Sequence, residues 1–470
     1  IIAGGPCASN PEPLADFVDL FLPGEAEEIL PDLMRTCIAL KRQTGSRTAR
    51  LAELARRVPG VYAPSLYHAK WNPDGRLTTL DPKPEYAEIA PRAIEQSCIR
   101  DLAAAYVPDR PIVPFAEIVH DRISIEIMRG CTRGCRYCHA GMTRRPVRWR
   151  TPELITELAE KQYAATGYDQ IALTSLSSSD YPRLTDLLRQ LGNRFNDRGV
   201  TISLPSLRVN EQLRELPALL SRVRKTTLTI APEAGTDRLR RVINKDIREE
   251  DLMRGVEAAY AQGWNQVKLY FMVGLPTETD EDVQAVARLA DRVSNTRRRV
   301  SKGRGRVNVS VAGFVPKPHT PFELEPMASI ERLREIRSRL KSEIKNRAVT
   351  IKMHSPERSF LEGVFARGDR RLGKLLLEAH RAGCRFDGWD EAFDFDRWQR
   401  AFEVAGIEGA FYANRRRDES ELLPWSHIRS GVSSQFLARE RQRAAQEQLT
   451  PDCRINRCNG CATLSCSQQA

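Results

Sequence analysis

Three cysteines crowd into GCTRGCRYCHAG, residues 130–141, in a chain of 470 residues that holds 11 in all. Cys131, Cys135 and Cys138 follow the spacing CxxxCxxC, Tyr137 stands directly before the last thiol, and Gly130 and Gly141 flank the group. A structural zinc ion closes its shell with four ligands, so three thiols are one short, and the spacing is not that of paired CxxC knuckles. Thiolates favour iron–sulfur clusters. Three of them on a four-iron cluster leave one iron without a protein ligand and able to bind a small molecule, as catalysis requires. A zinc site or three buried thiols is the alternative for the same residues.

Such residues need a scaffold that brings loops together, and the flanking sequence supplies one. From Ile123 onward short apolar runs alternate with amphipathic segments. ISIEIM precedes a helix near 152–166, QIALTSL one at 182–195, and TISLPSL one at 210–221. TTLTIAP precedes helices at 236–243 and 249–262, QVKLYFMVG one at 280–295, and VNVSVAGFVP one at 329–346. Six βα units in series predict a parallel sheet curved into a partial barrel. The cysteine loop, SLSSSDYP, SLRVN, APEAGTDRLR, GLPTETDED and KPHTPFE then all lie at C-terminal strand ends, the face on which barrel enzymes assemble their sites. The basic run NTRRRVSKGRGR, residues 295–306, leads from a helix back to a strand and falls on the opposite rim as a solvated loop.

Ahead of the barrel, IIAGGPCASNPEPLADFVDLFLPGEAEEIL reads as the tail of a doubly wound α/β unit whose other strands would precede Ile1. Residues 1–36 form this remnant, 37–120 a linker with turns at WNPDG and YVPDRPIVPF, and 121–348 the barrel. Residues 349–450 form a mostly helical accessory lid, in which Leu361, Val364, Phe365, Leu372, Leu375, Leu376 and Ala379 recur at helical spacing and predict a core. Residues 451–470 are a cysteine-rich tail. A 41% hydrophobic content supports sizeable cores, and the sequence shows neither an apolar run of 18 residues nor a basic-then-apolar leader. Clustered cysteines suit metal or redox chemistry in a reducing compartment, the cytoplasm, better than a disulfide framework.

A CxxxCxΦC loop directly after the first strand of a partial barrel resembles the signature of the radical S-adenosylmethionine (SAM) superfamily, and Cys131, Cys135, Tyr137 and Cys138 match it residue by residue. The resemblance implies a partial (βα)6 radical SAM barrel and a [4Fe-4S] cluster whose open iron is chelated by SAM. One electron passed to the sulfonium then gives a 5′-deoxyadenosyl radical that abstracts hydrogen from an unreactive C–H. An external reductant such as flavodoxin or ferredoxin is implied with it. By the same resemblance Tyr137 and Gly141 border the cofactor, and Ser175, Ser177, Ser178 and Ser179 hydrogen-bond the SAM amino group. Glu233 contacts the nucleoside or amino-acid part, Arg240 pairs with the carboxylate, Arg208 belongs to the strand-three loop of the cofactor site, and Gly274 sits in a turn near adenine. The serines could equally cap the next helix, and Gly274 could be a simple turn. GGPCASNPEPLADFVDLFLPGEAEE resembles the end of a Rossmann-like cobalamin-binding domain. LTSLSSSDYP, LPSLRVN, IAPEAGTDRLRRVINK, KLYFMVGLPTET and FVPKPHTPF resemble the barrel of a cobalamin-type subfamily, which implies cobalamin as a further cofactor.

The tail carries Cys453, Cys458, Cys461 and Cys466, a set that suits zinc or a second iron–sulfur cluster, or is simply an unligated tail. The net charge of +12 includes Arg129, Arg133, Arg136, Arg144, Arg145, Arg148 and Arg150 around the cysteine loop. There they could hold an anionic substrate such as tRNA or rRNA, or neutralise the cluster and solvate the rim. Three functions remain open on the sequence: cobalamin-assisted radical methyl transfer or related C–H functionalisation, methylthio transfer to RNA, and non-catalytic metal and nucleic-acid binding.

Overall fold

The computed structural model describes residues 1–43, 45–204, 227–456, 458–461 and 466. At the N-terminus β1 (Ile2–Gly4) and β2 (Leu20–Leu22) pair in parallel. The helices α1 (Ile29–Lys41) and α2 (Arg47–Arg57) follow, the second capped by Ser46, and then the antiparallel hairpin β3 (Tyr67–Trp71) and β4 (Leu77–Pro82). One core joins these elements: Leu20, Leu33, Leu54, Tyr62, Leu66 and Ile94 are buried in it together with Ile428 from near the other end of the chain. Residues 37–120 are therefore not the linker expected, because most of that span up to Ile94 packs into the N-terminal body. The reason is local: WNPDG is a hairpin turn, in which Asn72 N–H bonds Arg76 O and Gly75 N–H bonds Asn72 O, both at 3.0 Å.

The barrel region begins with β5 (Ile123–Glu126) and continues through α3 (His139–Thr143), α4 (Pro152–Thr166), β6 (Gln170–Thr174), α5 (Leu184–Phe195) and β7 (Thr201–Ser203). The expected helix at 210–221 lies outside the described residues. Beyond it come β8 (Leu228–Glu233), α6 (Asp237–Val242), α7 (Glu249–Ala261), β9 (Gln266–Val273), α8 (Asp280–Thr296), β10 (Arg306–Gly313), α9 (Ile330–Glu343) and β11 (Val349–Met353). The strands form two parallel sheets, ordered β7-β6-β5 and β8-β9-β10-β11, and among the described residues they do not close a barrel.

Each strand's alternation explains its layering. Val267, Leu269, Phe271 and Val273 of β9 and Val307, Val309 and Val311 of β10 are buried against Leu252, Val256, Val286, Leu333 and Ile336 of the helices. At about 1.5–3 kcal/mol for each large apolar side chain, this layer fixes the sheet. The intervening Lys268, Tyr270, Asn308 and Ser310 stand half-buried on the other face. Helix starts follow the sequence signals: Thr151 caps α4 with Pro152 in its first turn, and Thr279 and Asp282 form a capping box on α8.

The accessory region starts later than expected, since Val349–Met353 pairs with β10 as a seventh parallel strand. Its helices α10 (Pro356–Arg367), α11 (Leu372–Arg381) and α12 (Phe395–Ala405) share a core of Leu361, Val364, Leu375, Trp398 and Phe402. This region is tied to the N-terminal body: Asn10 Nδ2 donates to Ala366 O and Gly368 O, and Arg370 Nε meets Glu12 Oε2 at 2.8 Å. The last helix, α13 (Ser434–Ala445), leads into the tail. Among the described residues no helix is long and apolar enough to cross a membrane.

Candidate active site

The cysteine loop leaves β5 through Met128–Arg129, which pairs antiparallel with Arg148–Trp149. Gly130 adopts φ 89°, and a Cβ there would stand 2.4 Å from Pro146 O and 2.6 Å from Arg144 O, so the turn that delivers Cys131 admits only glycine. Cys138 caps α3: its Sγ accepts the Gly141 N–H at 3.3 Å, while its own N–H bonds Cys135 O at 3.0 Å. A Cβ on Gly141 would press the sulfur at 3.3 Å. Burial, and then the neighbouring Cys135 and Cys131, push the Cys138 thiol up to about 12, with Lys245 acting the other way. Three neighbouring thiols, Cys135 buried and Cys131 and Cys138 half-buried, whose thiolate forms would repel one another, are a donor set that a cationic iron–sulfur centre would satisfy. Each thiolate of a cluster binds a different iron, whereas among the described residues no three Cys, His, Asp or Glu side chains are arranged to hold one metal ion.

The loop is nailed down by a residue inside the motif. Arg136 is fully buried, its Nη1 donating to Arg241 O and Val242 O at 2.9 Å and its Nη2 to Gln448 O at 2.7 Å, while its Nε pairs with Glu440 at 3.2 Å. Asn244 reaches the same place, bonding Arg133 O, Gly134 O and Thr450 O. Thr132 Oγ1 donates to Asp452 Oδ1 at 2.6 Å, and Arg133 pairs with both Asp180 and Asp452. Burial opposes ionisation of Asp180, but the hydrogen bonds and charges of Arg133 and Arg454 outweigh it and hold the carboxyl far below the usual range. No signal in the chain foretells these ties, because Asp180, Asn244, Glu440, Thr450 and Asp452 are ordinary polar residues far from the motif.

Tyr137, the aromatic of the signature, is half-buried and hydrogen-bonds Glu233, which raises its phenol well above the ordinary value after burial has done most of the work. Glu233 ends β8 at φ 69°, beyond a register shift, with Lys245 Nζ 3.4 Å from its Oε1. Ser175 Oγ lies 3.0 Å from Ser178 Oγ, which also bonds Leu173 O; Ser177, Ser178 and Ser179 are buried. The following 3-10 turn at Ser178–Asp180 has no side-chain cap, so the serine run does not serve the simple capping role. Gly274 adopts φ 77° and donates its N–H to Glu278 Oε1 at 2.7 Å. Arg208 lies outside the described residues.

Two expectations are corrected. Arg240 is 1% exposed, with Nη1 on Ala234 O at 2.7 Å and Nε and Nη2 on Asp237, so every guanidinium nitrogen is already engaged in holding the start of α6 and none is available to a SAM carboxylate. The arginines near the loop do not make a solvated basic face either. Arg136, Arg145, Arg148 and Arg150 are buried, Arg148 in a two-pronged pair with Glu25 at 2.7 and 2.9 Å, and Arg129 is shared by Glu25, Glu27 and Glu126. For Arg136, Arg148 and Arg129, carboxylates distant in sequence, Glu440 and Glu25, turn the cation inward.

A cleft of about 880 Å³ opens beside the loop. Gly24, Glu27 and Leu30 of the N-terminal body wall one side; Glu126, Arg129 and Ser175 at the strand ends and Ala140 and Arg144 just after Cys138 wall the other. In the tail, Cys453 and Cys461 are buried, Cys466 is half-buried and Cys458 is exposed.

Against known proteins, the family model for the Radical SAM superfamily matches residues 125–290, and that for Radical SAM proteins, N-terminal, matches residues 1–64. An uncharacterized protein of Methanocaldococcus jannaschii is 33% identical over 412 residues, 86% of this chain and 79% of that one. The chain belongs to the radical SAM superfamily. Membership implies a [4Fe-4S] cluster and SAM as cofactors. A tRNA-2-methylthio-N(6)-dimethylallyladenosine synthase of Deinococcus radiodurans is 24% identical over 57% of this radical SAM chain and 55% of its own. In fold it is similar to the radical S-adenosylmethionine methyltransferase TsrM of Kitasatospora setae, with TM-score 0.46 and 16% identity, covering 69% of this chain; this chain spans 58% of the length of that one.

Proposed function

We propose that this protein holds a [4Fe-4S] cluster on Cys131, Cys135 and Cys138, cleaves SAM reductively, and functionalises an unactivated C–H of a substrate in the adjoining cleft, with cobalamin-assisted methyl transfer as the reaction. The observation that carries this is the convergence of three thiols, Glu233 with Lys245, and the serines after β6 at the C-terminal ends of parallel strands beside a cleft. When bound, the cluster and SAM together supply a one-electron cleavage that generates the hydrogen-abstracting species.

The chain's own residues orient and enclose. Gly130 sets the angle at which Cys131 leaves the sheet, Arg136 fixes the loop, and Tyr137 covers one side while donating to Glu233. Glu233 and Lys245 offer one acceptor and one cation to the amino-acid or ribose part of SAM, and Ser175 and Ser178 offer hydroxyls. The cobalamin proposal is supported by the N-terminal α/β body walling the cleft opposite the cysteine loop. A reduced flavodoxin or ferredoxin in the cytoplasm would supply the electron.

The test is 5′-deoxyadenosine release from reconstituted protein given dithionite and SAM. Wild type should release it even without substrate, and each single Cys→Ala variant at 131, 135 and 138 should lack the cluster absorbance near ~400 nm and release none. A Cys135→Ala protein that works at the wild-type rate overturns the proposal. Sulfur insertion into RNA is a second reading, favoured by the likeness to a tRNA methylthio synthase and by the additional tail thiols. Comparing RNA nucleosides and corrin absorbance between cells and proteins with and without the gene product separates the two.

A further inference from the structure

The tail does not hang free. It doubles back onto the cysteine loop through Thr132–Asp452, Arg133–Asp452 and Arg136–Gln448, and Arg454 carries it to Asp180 O at 2.7 Å. Two hydrogen bonds shape the segment that carries its cysteines. Asn459 Nδ2 donates to Pro451 O at 2.8 Å, which folds the CNGC segment back toward Cys453. Gly460, at φ 63°, points its N–H at Cys458 Sγ at 3.4 Å, the same N–H to sulfur arrangement that Gly141 makes with Cys138. Cys461 is buried with Met142, Phe436 and Leu437, its carbonyl accepting the Ser433 N–H at 3.1 Å, and both Cys461 and Cys466 lie within electrostatic reach of Cys453.

A second, independent feature lies beside these thiols. Arg145 is only 5% exposed, stacks over the Phe436 ring at 5.3 Å and donates its Nε to Gly141 O at 3.0 Å. Both of its terminal nitrogens are buried without any hydrogen-bond partner. Among the charges acting on Cys453, Arg145 is the largest. A buried guanidinium with two empty donors is costly unless something anionic stands near it. Arg148, three residues on, has Glu25; among the described residues Arg145 has no carboxylate.

We propose that Cys453, Cys458, Cys461 and Cys466 hold a second iron–sulfur cluster, each thiolate on a different iron, and that Arg145 is its counter-charge. Four thiolates around a four-iron cluster leave the centre net negative, and it would occupy the donors of Arg145, whereas no three of the described side chains are arranged around one metal ion. Because the tail also ties the Cys131–Cys138 loop, loading this centre braces the loop from behind.

The decisive protein is the full chain with Cys131, Cys135 and Cys138 all changed to Ala, so that the outcome is independent of the radical chemistry. It is incubated anaerobically with zinc alone, or with ferrous iron and sulfide, desalted, and analysed for all three. Retention of about four iron with four sulfide per chain is expected, and retention of about one zinc in its place overturns the cluster assignment. Adding Cys458→Ser, an exposed position whose change leaves packing intact, should abolish retention, and Arg145→Met should shorten the time to half-loss against a chelator by about tenfold. Circular dichroism verifies folding in each. A folded triple variant that retains no iron and sulfide, or a Cys458→Ser protein that retains them unchanged, overturns the proposal; if the triple variant does not fold, the same comparison between wild type and Cys458→Ser decides.

Discussion

Replacing Arg136 by Met should do more damage than any change to the exposed arginines, and the contacts set the size. Met fills much of the volume, but it leaves Glu440, the carbonyls of Arg241, Val242 and Gln448, and Thr450 Oγ1 without their donor. Glu440 is itself fully buried and keeps Arg443 at 2.9 Å and the Thr450 hydroxyl. Removing one partner of a buried pair costs about 3–5 kcal/mol, and the remaining Arg443 puts the expectation near the lower end, about 3 kcal/mol. Urea unfolding of the apo-protein measures this as a lowered midpoint with unchanged slope. Iron per chain after reconstitution should fall too, since the loop loses its tie to α6 and α13. Arg299→Met is the control, a side chain 69% exposed whose loss should stay within about 0.5 kcal/mol. Arg136→Met with Glu440→Leu should recover part of the loss, because the stranded carboxylate goes with its partner. An Arg136→Met protein within about 1 kcal/mol of wild type and fully loaded with iron would refute the reasoning.

Glu233→Gln should weaken SAM binding by about 1 kcal/mol, read by equilibrium dialysis, while iron content stays at the wild-type value, because the residue touches Tyr137 and Lys245 and is not assigned to the cluster. Gly235→Ala places a Cβ 2.3 Å from Asp282 O and 2.8 Å from Val286 N, both backbone of α8, and should cost about 1–3 kcal/mol or more in the unfolding midpoint. Burial raises Glu278 from its ordinary 4.5 to about 7, so the folded state binds its proton more tightly than the unfolded state, and stability falls as pH rises between those values. Glu278→Gln should therefore match wild type near pH 4.5 and exceed it in Tm at pH 8; a constant difference across that range would contradict the assignment.

Periodicity made the barrel legible. Helices expected at 152–166 and 249–262 occur at Pro152–Thr166 and Glu249–Ala261, because buried Val, Leu and Ile at period two and capped amphipathic stretches are local signals. Where the expectation failed, the signal was shared by two structures. WNPDG and the prolines after it serve a hairpin as readily as a linker, and Val349–Met353 is too short a run to betray a seventh strand. The cysteine spacing pointed to the radical SAM superfamily, which the family model over residues 125–290 bears out, because the three thiols and the aromatic lie within one short loop and need no tertiary contact to be seen.

The sequence by itself therefore determined the kind of chemistry and the alternation of strand and helix that brings Cys131, Cys135 and Cys138 to the working face. Only the tertiary structure decided what each charge is for. Arg136, Arg145, Arg148 and Arg240 look alike in the chain, yet one anchors the loop, one is buried over Phe436 with two donors unpaired, one grips Glu25 and one holds the start of α6. A guanidinium's role depends on which acceptors meet it after burial, and those acceptors, Glu440, Gln448, Glu25 and Asp237, lie between 3 and 312 residues away along the chain. Apart from the i,i+3 pair of Arg240 with Asp237, no local pattern encodes such pairings; tertiary packing, as of α13 against the loop, does.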